Sequence, residues 1–352
     1  MSTGKPRISG AVIRAVRIGP VSLTYSPRAT VAGVLGLLVL GAAIFFALLS
    51  VRTELSPEQT LRAVVGDGDV RTVRSIQSRA LPRALTAACV GGLLGVSGAV
   101  FQSLSRNVLG SPDIIGFTAG AATAAGMTIL FVTPDVWPVA IAAAVGGLLT
   151  AAIVYTLART RGSANGIRLV LVGIGVAATV SAILDFMLLN SDISLATQVQ
   201  GWRAGSLSGR GWEHARSVLL ATAVLLPCLV LLRRGVDAIE LGDATACNLG
   251  IPVERTRFAA IIVATLAACI ATAAAGPIAF IALAGPHIAR FITRIPGVTI
   301  LHSFITGAVL LLLADHVTQN IDIGLRSPVG LVTGVLGGGY LLILLTRSST
   351  RT

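Results

Sequence analysis

Long apolar runs, each close to the length that a helix needs to cross a lipid bilayer, recur along almost the whole chain. A helix of about 20 residues spans the roughly 30 Å hydrocarbon core, and only helices or closed barrels satisfy their backbone there. The runs therefore predict an all-α polytopic membrane protein with about ten transmembrane helices. We place them near 31–49, 84–104, 112–132, 137–158, 168–189, 215–232, 258–275, 277–293, 301–318 and 328–346.

The composition excludes an ordinary soluble domain. Of the 352 residues, 54% are hydrophobic and 12% are charged, whereas soluble domains average about 25% charged residues. Stretches such as VGGLLGVSGAV and GFTAGAATAAG place small residues at helical spacing, which predicts close helix packing. The glycine-rich runs near 112 and 277 are expected to be broken or tilted, and run 31–49 is expected to be a retained first helix because no cleavage pattern follows it.

Basic residues set the orientation. With the N-terminus inside and the spans alternating, seventeen of the 27 Lys and Arg residues fall inside, together with five of the 15 acidic residues. This asymmetry follows the positive-inside rule, so the basic balance needs no nucleic acid. We expect a basic cytoplasmic segment at 1–30, a transmembrane domain at 31–346, a cytoplasmic tail at 347–352, and both termini on the cytoplasmic side of a bacterial inner membrane.

The sequence lacks the motifs of several kinds of catalytic and metal-binding site. The sequence contains no G-x-x-x-x-G-K-[ST] phosphate loop and no H-E-x-x-H, and its four cysteines have no metal-ligand spacing. We therefore expect no cofactor and no metal site. Asp185 and Asp315 are expected to cap or pair near helix ends. GVSG at 95–98 matches an intramembrane serine protease pattern, but Ser97 lies among small residues and is interpreted as a packing residue.

One polar stretch, ELGDATACNLGIPVERTR at 240–257, interrupts the apolar runs. Asp243 is expected to cap a short helix, Gly250 to end it in a left-handed conformation, and Pro252 to prevent its return. Such a helix cannot span a bilayer. With Ala246 and Leu249 on one face, it fits a groove on another protein.

Four segments together resemble the permease family of iron–siderophore and vitamin B12 ABC importers, over residues 76–345. The first, ALPRALTAACVGGLLGVSGAVFQSLSRNVLGSPDIIGFTAGA, is similar to the family's LPR start and GxxxQxxxRNPLxxPxxLGxxxGA pattern, with Val108 at the usual proline. Its Pro112 is expected early in a helix that Ser111 caps. The others are RLVLVGIGVAA at 168–178, the stretch around LGDATACNLG, and GPIAFIALAGPHIARFI at 276–292.

The resemblance implies a BtuC-like permease fold that works with separate ABC ATPase subunits, a second identical or paralogous permease, and an extracytoplasmic substrate-binding protein. Its implied cargo is a ferric siderophore, with vitamin B12 or haem as alternatives. The implied ATPase-coupling residues, within a cytoplasmic loop at 233–257 and one later helix, are Leu241, Gly242, Asp243, Ala246, Leu249, Gly250 and Arg290. The implied binding-protein docking residues are Arg79, Arg83 and Arg326. The implied path or gate residues are Gln102, Asn107, Asn165, Gly166 and Ile167.

Three departures from the family pattern fall on the outer side or the last span. Leu325-Arg326-Ser327-Pro328 lacks the usual acid, Gly337-Gly338-Gly339 lacks the usual proline, and Gln319 and Asn320 occupy a region that often holds arginine. A different class, the ion-coupled secondary transporter, would want intramembrane charges and often an internal repeat. Neither is evident in the sequence.

Overall fold

The computed structural model describes residues 7–8, 11–12, 14–18, 21–50, 56–113, 116–160, 163–164, 166–320 and 328–349. The helices are α1 Pro27–Leu49, α2 Pro57–Val65, α3 Val70–Ser75, α4 Leu81–Ser105, α5 Phe117–Phe131, α6 Val136–Ala158, α7 Gly166–Leu189, α8 Ile193–Arg203, α9 Trp212–Glu240, α10 Asp243–Asn248, α11 Val253–Ala275, α12 Ile281–Thr293, α13 Ile300–Asn320 and α14 Val329–Ser349. A π-helical turn, Ile76–Ala80, joins α3 to α4.

Short strand pairs accompany the helices. They are β1 Arg7–Ile8 with β2 Ala11–Val12, β3 Arg14–Ile18 with β4 Val21–Tyr25, and β5 Arg159–Thr160 with β6 Ser163–Ala164, all antiparallel. The last pair links α6 to α7. The expected all-α polytopic architecture is thus confirmed, with strands confined to two-stranded pairs.

Each of the ten predicted spans coincides with a helix. Within the described residues, seven helices are long and apolar enough to cross a membrane, the longest being the continuous stretch Val70–Ser105. Helices α5, α12 and α14 occupy the other three predicted spans. At 1.5 Å per residue, the 13 residues of α12 cover about 20 Å, less than the roughly 30 Å of the hydrocarbon core.

Helix α4 is the centre of the bundle, and α9, α11, α12 and α13 pack around it. Close approach depends on glycine: a Cβ at Gly91 would overlap the carbonyl oxygen of Gly307 on α13, and one at Gly98 would overlap that of Ala282 on α12. Because such overlaps forbid any side chain, these positions fix where the helices cross. The predicted small-residue packing is confirmed.

The helix predicted from residue 112 begins later. Gly116, with φ of 89°, precedes α5, whose first residue is Phe117. Pro112 lies in a turn instead of an early helical position, so Ser111 does not cap α5. The prediction failed because the positive φ of Gly116 ends the turn, and the helix starts only after it.

Two other predictions concern polar groups within helices. Asp185 on α7 pairs with Arg203 on α8, and Asp315 on α13 pairs with Arg83 on α4, as expected for acids near helix ends. Ser97 is fully buried and donates a hydrogen bond to the carbonyl oxygen of Ala264 at 2.7 Å. This contact confirms its interpretation as a packing residue.

Candidate functional site

Helix α10 lies between α9 and α11 and is six residues long. Gly242, with φ of 123°, precedes it, and Gly250, with φ of 76°, follows it in the expected left-handed conformation. The expectation that Asp243 caps this helix is wrong. Asp243 is the first helical residue and makes no side-chain cap, because its carboxylate is engaged by arginines.

The carboxylate of Asp243 joins three helices. Arg257 of α11 donates from Nη2 to both of its oxygens at 2.8 and 2.9 Å. Arg106, at the end of α4, donates to Oδ1 at 2.8 Å and to the carbonyl oxygen of Ile239 on α9 at 2.8 Å. Arg257 is itself buried and also pairs with Glu254 at 3.0 Å. We call Asp243, Arg106 and Arg257 the α10 clasp.

The two faces of α10 differ from the predicted arrangement. Ala246 is 0% exposed and packs with Ile239 and Val253, so it anchors α10 to its own bundle. Leu249 follows the end of the helix and is 64% exposed, and Leu241 before the helix is 71% exposed. Ala246 and Leu249 therefore do not share an outward face, because α10 ends before Leu249. The apolar residues available to a partner are Leu241 and Leu249.

Arg290 of α12 lies behind α10. It donates from Nη2 to Oε1 of Gln102 at 2.5 Å and is 3.8 Å from Oε1 of Glu240 on α9. Ser103 donates to the same Glu240 side chain at 2.7 Å. Arg290 is thus part of an internal network that ties α12 to the ends of α4 and α9.

The position of Gln102 differs from the predicted one on a translocation path. Its side chain is 1% exposed, accepts from Arg290 and donates to the carbonyl oxygen of Leu283 at 3.1 Å. A buried glutamine needs hydrogen-bond partners for both its amide oxygen and its amide nitrogen, and α12 supplies both. Gln102 therefore joins α4 to α12 within the core.

The other predicted gate residues are only partly described. Asn107 is exposed after α4, and its Oδ1 accepts from the backbone nitrogen of Leu109 at 2.9 Å, which forms a local turn. Gly166 and Ile167 are the first residues of α7, and Asn165 lies outside the described residues.

The opposite end of α4 borders a cavity of about 700 Å³. We call it the outer cavity. It is lined by Arg79, Arg83, Arg210 and Asp315. Arg79 and Arg83, two of the three arginines predicted to dock the binding protein, therefore lie in the same cavity. Arg326 lies outside the described residues.

The three arginines of the outer cavity differ in their hydrogen-bond and ion-pair partners. Arg83 donates to both oxygens of Asp315 at 2.7 and 3.0 Å, and the Asp315 side chain is only 3% exposed. Arg79 is exposed and has no ion pair among the described residues. Arg210 donates to the carbonyl oxygen of Ser206 and to Nε2 of His214, and its burial lowers the pKa of its guanidinium.

The sequence interpretation missed Asp315 as the partner of Arg83, and Arg210 as a cation of this cavity. Arg83 and Asp315 are 232 positions apart in the sequence, so no local spacing could reveal the pair. In the structure, α4 carries the clasp at one end and the outer cavity at the other, about 37 Å apart along its 25 residues. No group of side chains among the described residues is suited to hold a metal ion.

The known proteins that this chain resembles are transport permeases. The FecCD transport family matches residues 37–347. The ferric enterobactin transport system permease protein of Escherichia coli (strain K12) is 38% identical over 318 residues, which cover 90% of this chain and 96% of that protein. The achromobactin transport system permease protein of Dickeya dadantii is 35% identical over 332 residues, 93% of each chain.

A solved structure shares the fold. A metal-chelate type ABC transporter in an inward-facing conformation superposes with a TM-score of 0.77 at 25% identity, covering 90% of this chain and 98% of that one. The family match spans most of the chain, and the relatives match along nearly their whole length. The chain therefore belongs to the FecCD transport family, and it is a multi-pass permease of an ABC importer.

Proposed function

We propose that this chain forms the membrane path by which a bacterial cell imports a ferric siderophore across its cytoplasmic membrane. The observation that carries the proposal is the 38% identity, over 90% of the chain, to a ferric enterobactin permease. The two acids that the sequence places nearest to membrane depth, Asp185 and Asp315, are both paired with arginine. Neither is therefore free for ion coupling of the kind that a secondary transporter needs.

ATP hydrolysis is assigned to separate subunits that bind at α10. The exposed Leu241 and Leu249 would enter a groove on the ATPase subunit. The α10 clasp would then pass a displacement of α10 to α4 and α11, because Asp243 is bonded to both. Arg290 and Glu240 would carry the same displacement to α12 and α9. Rigid helices joined by charge-assisted bonds are suited to move together.

A substrate-binding protein is proposed to dock at the outer cavity. Within the part of the chain that the structure describes, neither Arg79 nor Arg210 is paired with a carboxylate. Arg210 is also half-buried. An acidic side chain of the binding protein would offset the cost of burying Arg210. Arg83 is already paired with Asp315, so we assign it to holding the cavity wall. Exposed charge pairs of this type mainly speed association and fix orientation.

A second permease, identical or paralogous, is proposed to cover α14. Its residues Leu331, Val335 and Leu336 are exposed, and a Cβ at Gly334 or Gly338 would meet nothing within 4 Å. Small residues on an open apolar face favour close helix contact. The path would run between the two copies, with Asn107 and residues 165–167 near its inner mouth and both termini in the cytoplasm.

Uptake in a deletion strain tests the cargo. We expect a strain that lacks this gene to lose accumulation of radiolabelled ferric enterobactin and to regain it with the wild-type gene on a plasmid. Labelled vitamin B12 and haem, tested in parallel, distinguish the alternatives. Unchanged accumulation of all ferric chelates in the deletion strain would contradict the proposal.

A further inference from the structure

An apolar crevice of about 280 Å³ lies between α1, α12 and α13. Its α1 wall consists of Ala32, Leu35, Gly36 and Val39, which lie on one face of the helix at helical spacing. The polar groups in its other walls are satisfied internally: Thr306 donates to the carbonyl oxygen of Gly285 at 2.8 Å, and Thr293 to that of Ala289 at 2.7 Å. The crevice thus offers an apolar surface to its occupant.

One end of the crevice is basic. Arg28 lies four residues before Ala32, one turn away on the same face of α1. Its Nε donates to the carbonyl oxygen of Ile292 at 2.9 Å, which holds the guanidinium at the end of α12. Its two terminal nitrogens have no partner among the described residues. Arg294 follows α12 directly and is exposed at the same end.

We propose that this crevice binds one phospholipid with an anionic headgroup. The acyl chain would fill the space between α1 and α12, and the phosphate would bind Arg28 and Arg294. The charge at one end of an apolar groove is what such a lipid complements, because basic pockets between transmembrane helices bind anionic headgroups. A second copy of the chain would instead need an acidic surface at this basic end, because an apolar one would bury unpaired charges.

The location would let the lipid influence transport. Helix α12 presents Ile292 to the crevice, and it carries Arg290, which contacts Gln102 and lies 3.8 Å from Glu240 in the internal network. A lipid bound beside α12 would therefore affect the position of α12. Through Arg290 and Glu240, α12 is linked to the end of α9, just before α10. The lipid site itself does not depend on the identity of the cargo or on the ATPase.

Native mass spectrometry tests the site directly. The full-length chain would be reconstituted in nanodiscs with equal amounts of phosphatidylglycerol and phosphatidylcholine, then released into detergent, and the retained lipid counted. We expect the wild-type chain to prefer phosphatidylglycerol. Each arginine should contribute about fivefold to the preference, since a basic residue at the membrane surface is worth about that factor. The double variant Arg28→Gln/Arg294→Gln should lose most of the preference.

Three further variants distinguish lipid binding from helix capping and from a general effect of charge. Arg28→Lys keeps the charge and should keep the preference, whereas a residue that merely caps α12 would affect stability without changing lipid choice. Arg255→Gln, an exposed arginine on α11, is the matched control and should change nothing. Ala32→Trp should fill the crevice and reduce retention of both lipids.

The inference is overturned by any of three results. These are equal retention of both lipids by the wild-type chain, an unchanged preference in the double glutamine variant, and a disulfide that joins position 35 of two copies in a Leu35→Cys variant that also carries Cys247→Ser. The last result would mean that a second copy covers the crevice.

Discussion

Arg257 holds Asp243 through two hydrogen bonds of 2.8 and 2.9 Å, and it does so from a buried position on α11. The short helix that faces the cytoplasm in our proposal is therefore not a loosely tethered loop. Its first residue is fixed to one transmembrane helix by Arg257 and to another by Arg106. A force applied to α10 would reach the core of the bundle without crossing a flexible segment.

Asp243→Asn should uncouple hydrolysis from transport. The substitution removes the charge that both arginines bind, and a hydrogen bond to a charged group is worth about 1.5–3 kcal/mol. We expect uptake to fall about tenfold or more while the ATPase subunit still binds and hydrolyses ATP, because Leu241 and Leu249 remain in place. Thr245→Ala, at an exposed position on α10, is the control. Uptake that stays at the wild-type rate in Asp243→Asn would argue against the clasp.

Leu249→Asp should prevent binding of the ATPase subunit. Leu249 is exposed and apolar, and a charge there would have to be buried in the partner's groove at high cost. We expect the ATPase subunit to be lost from a pull-down of the tagged permease, whereas the amount of permease in the membrane stays the same. The matched control is Val65→Asp on α2, an exposed apolar residue at the other end of the molecule. Equal recovery of the ATPase with both variants would refute the docking assignment.

Arg83 and Arg79 should respond differently to removal. Arg83→Ala leaves the buried carboxylate of Asp315 unpaired, which costs about 3–5 kcal/mol of stability. We expect a lower melting temperature for Arg83→Ala and recovery of much of it in Arg83→Leu/Asp315→Leu. Arg79→Ala should melt like the wild type but slow association of the binding protein, as measured by surface plasmon resonance. A normal melting temperature for Arg83→Ala would show that the pair has no structural role.

Cys247 should report the side of the membrane that α10 faces. It is exposed on α10, whereas Cys89 and Cys269 are buried and Cys228 is half-buried. We expect a membrane-impermeant maleimide to label Cys247 in inside-out vesicles but not in intact spheroplasts. Addition of the ATPase subunit should protect it, and a Cys247→Ser variant gives the background. Labelling in intact spheroplasts would place α10 on the outer side and reverse the proposed topology.

The fold was largely accessible from the sequence. Runs of about 20 apolar residues form transmembrane helices in a bilayer, and glycines at helical spacing indicate where these helices meet. The lengths of individual helices were harder to predict. The glycines mark the runs near 112 and 277 as broken or tilted, but they do not show that α5 begins only after Gly116 or that α12 is 13 residues long.

The sequence showed which segment forms the site, but it did not show which residues contact one another there. Gly250 acts as its chemistry predicts, because a left-handed turn after a helix is a local property. The predicted cap at Asp243 was wrong because its carboxylate contacts Arg106, which is 137 positions earlier in the sequence. A contact between residues so far apart leaves no trace in local spacing. Ala246 packs on Ile239 and Val253, and its burial depends on how α10 folds back between α9 and α11.

Import into proteoliposomes tests the central claim most directly. The permease would be reconstituted with the ATPase subunit, with ATP on the lumenal side, and with the binding protein and radiolabelled ferric siderophore outside. We expect import only when the ATPase subunit and ATP are both present, and almost none with Leu249→Asp. Import at the same rate without the ATPase subunit, or import driven by an ion gradient alone, would contradict the account.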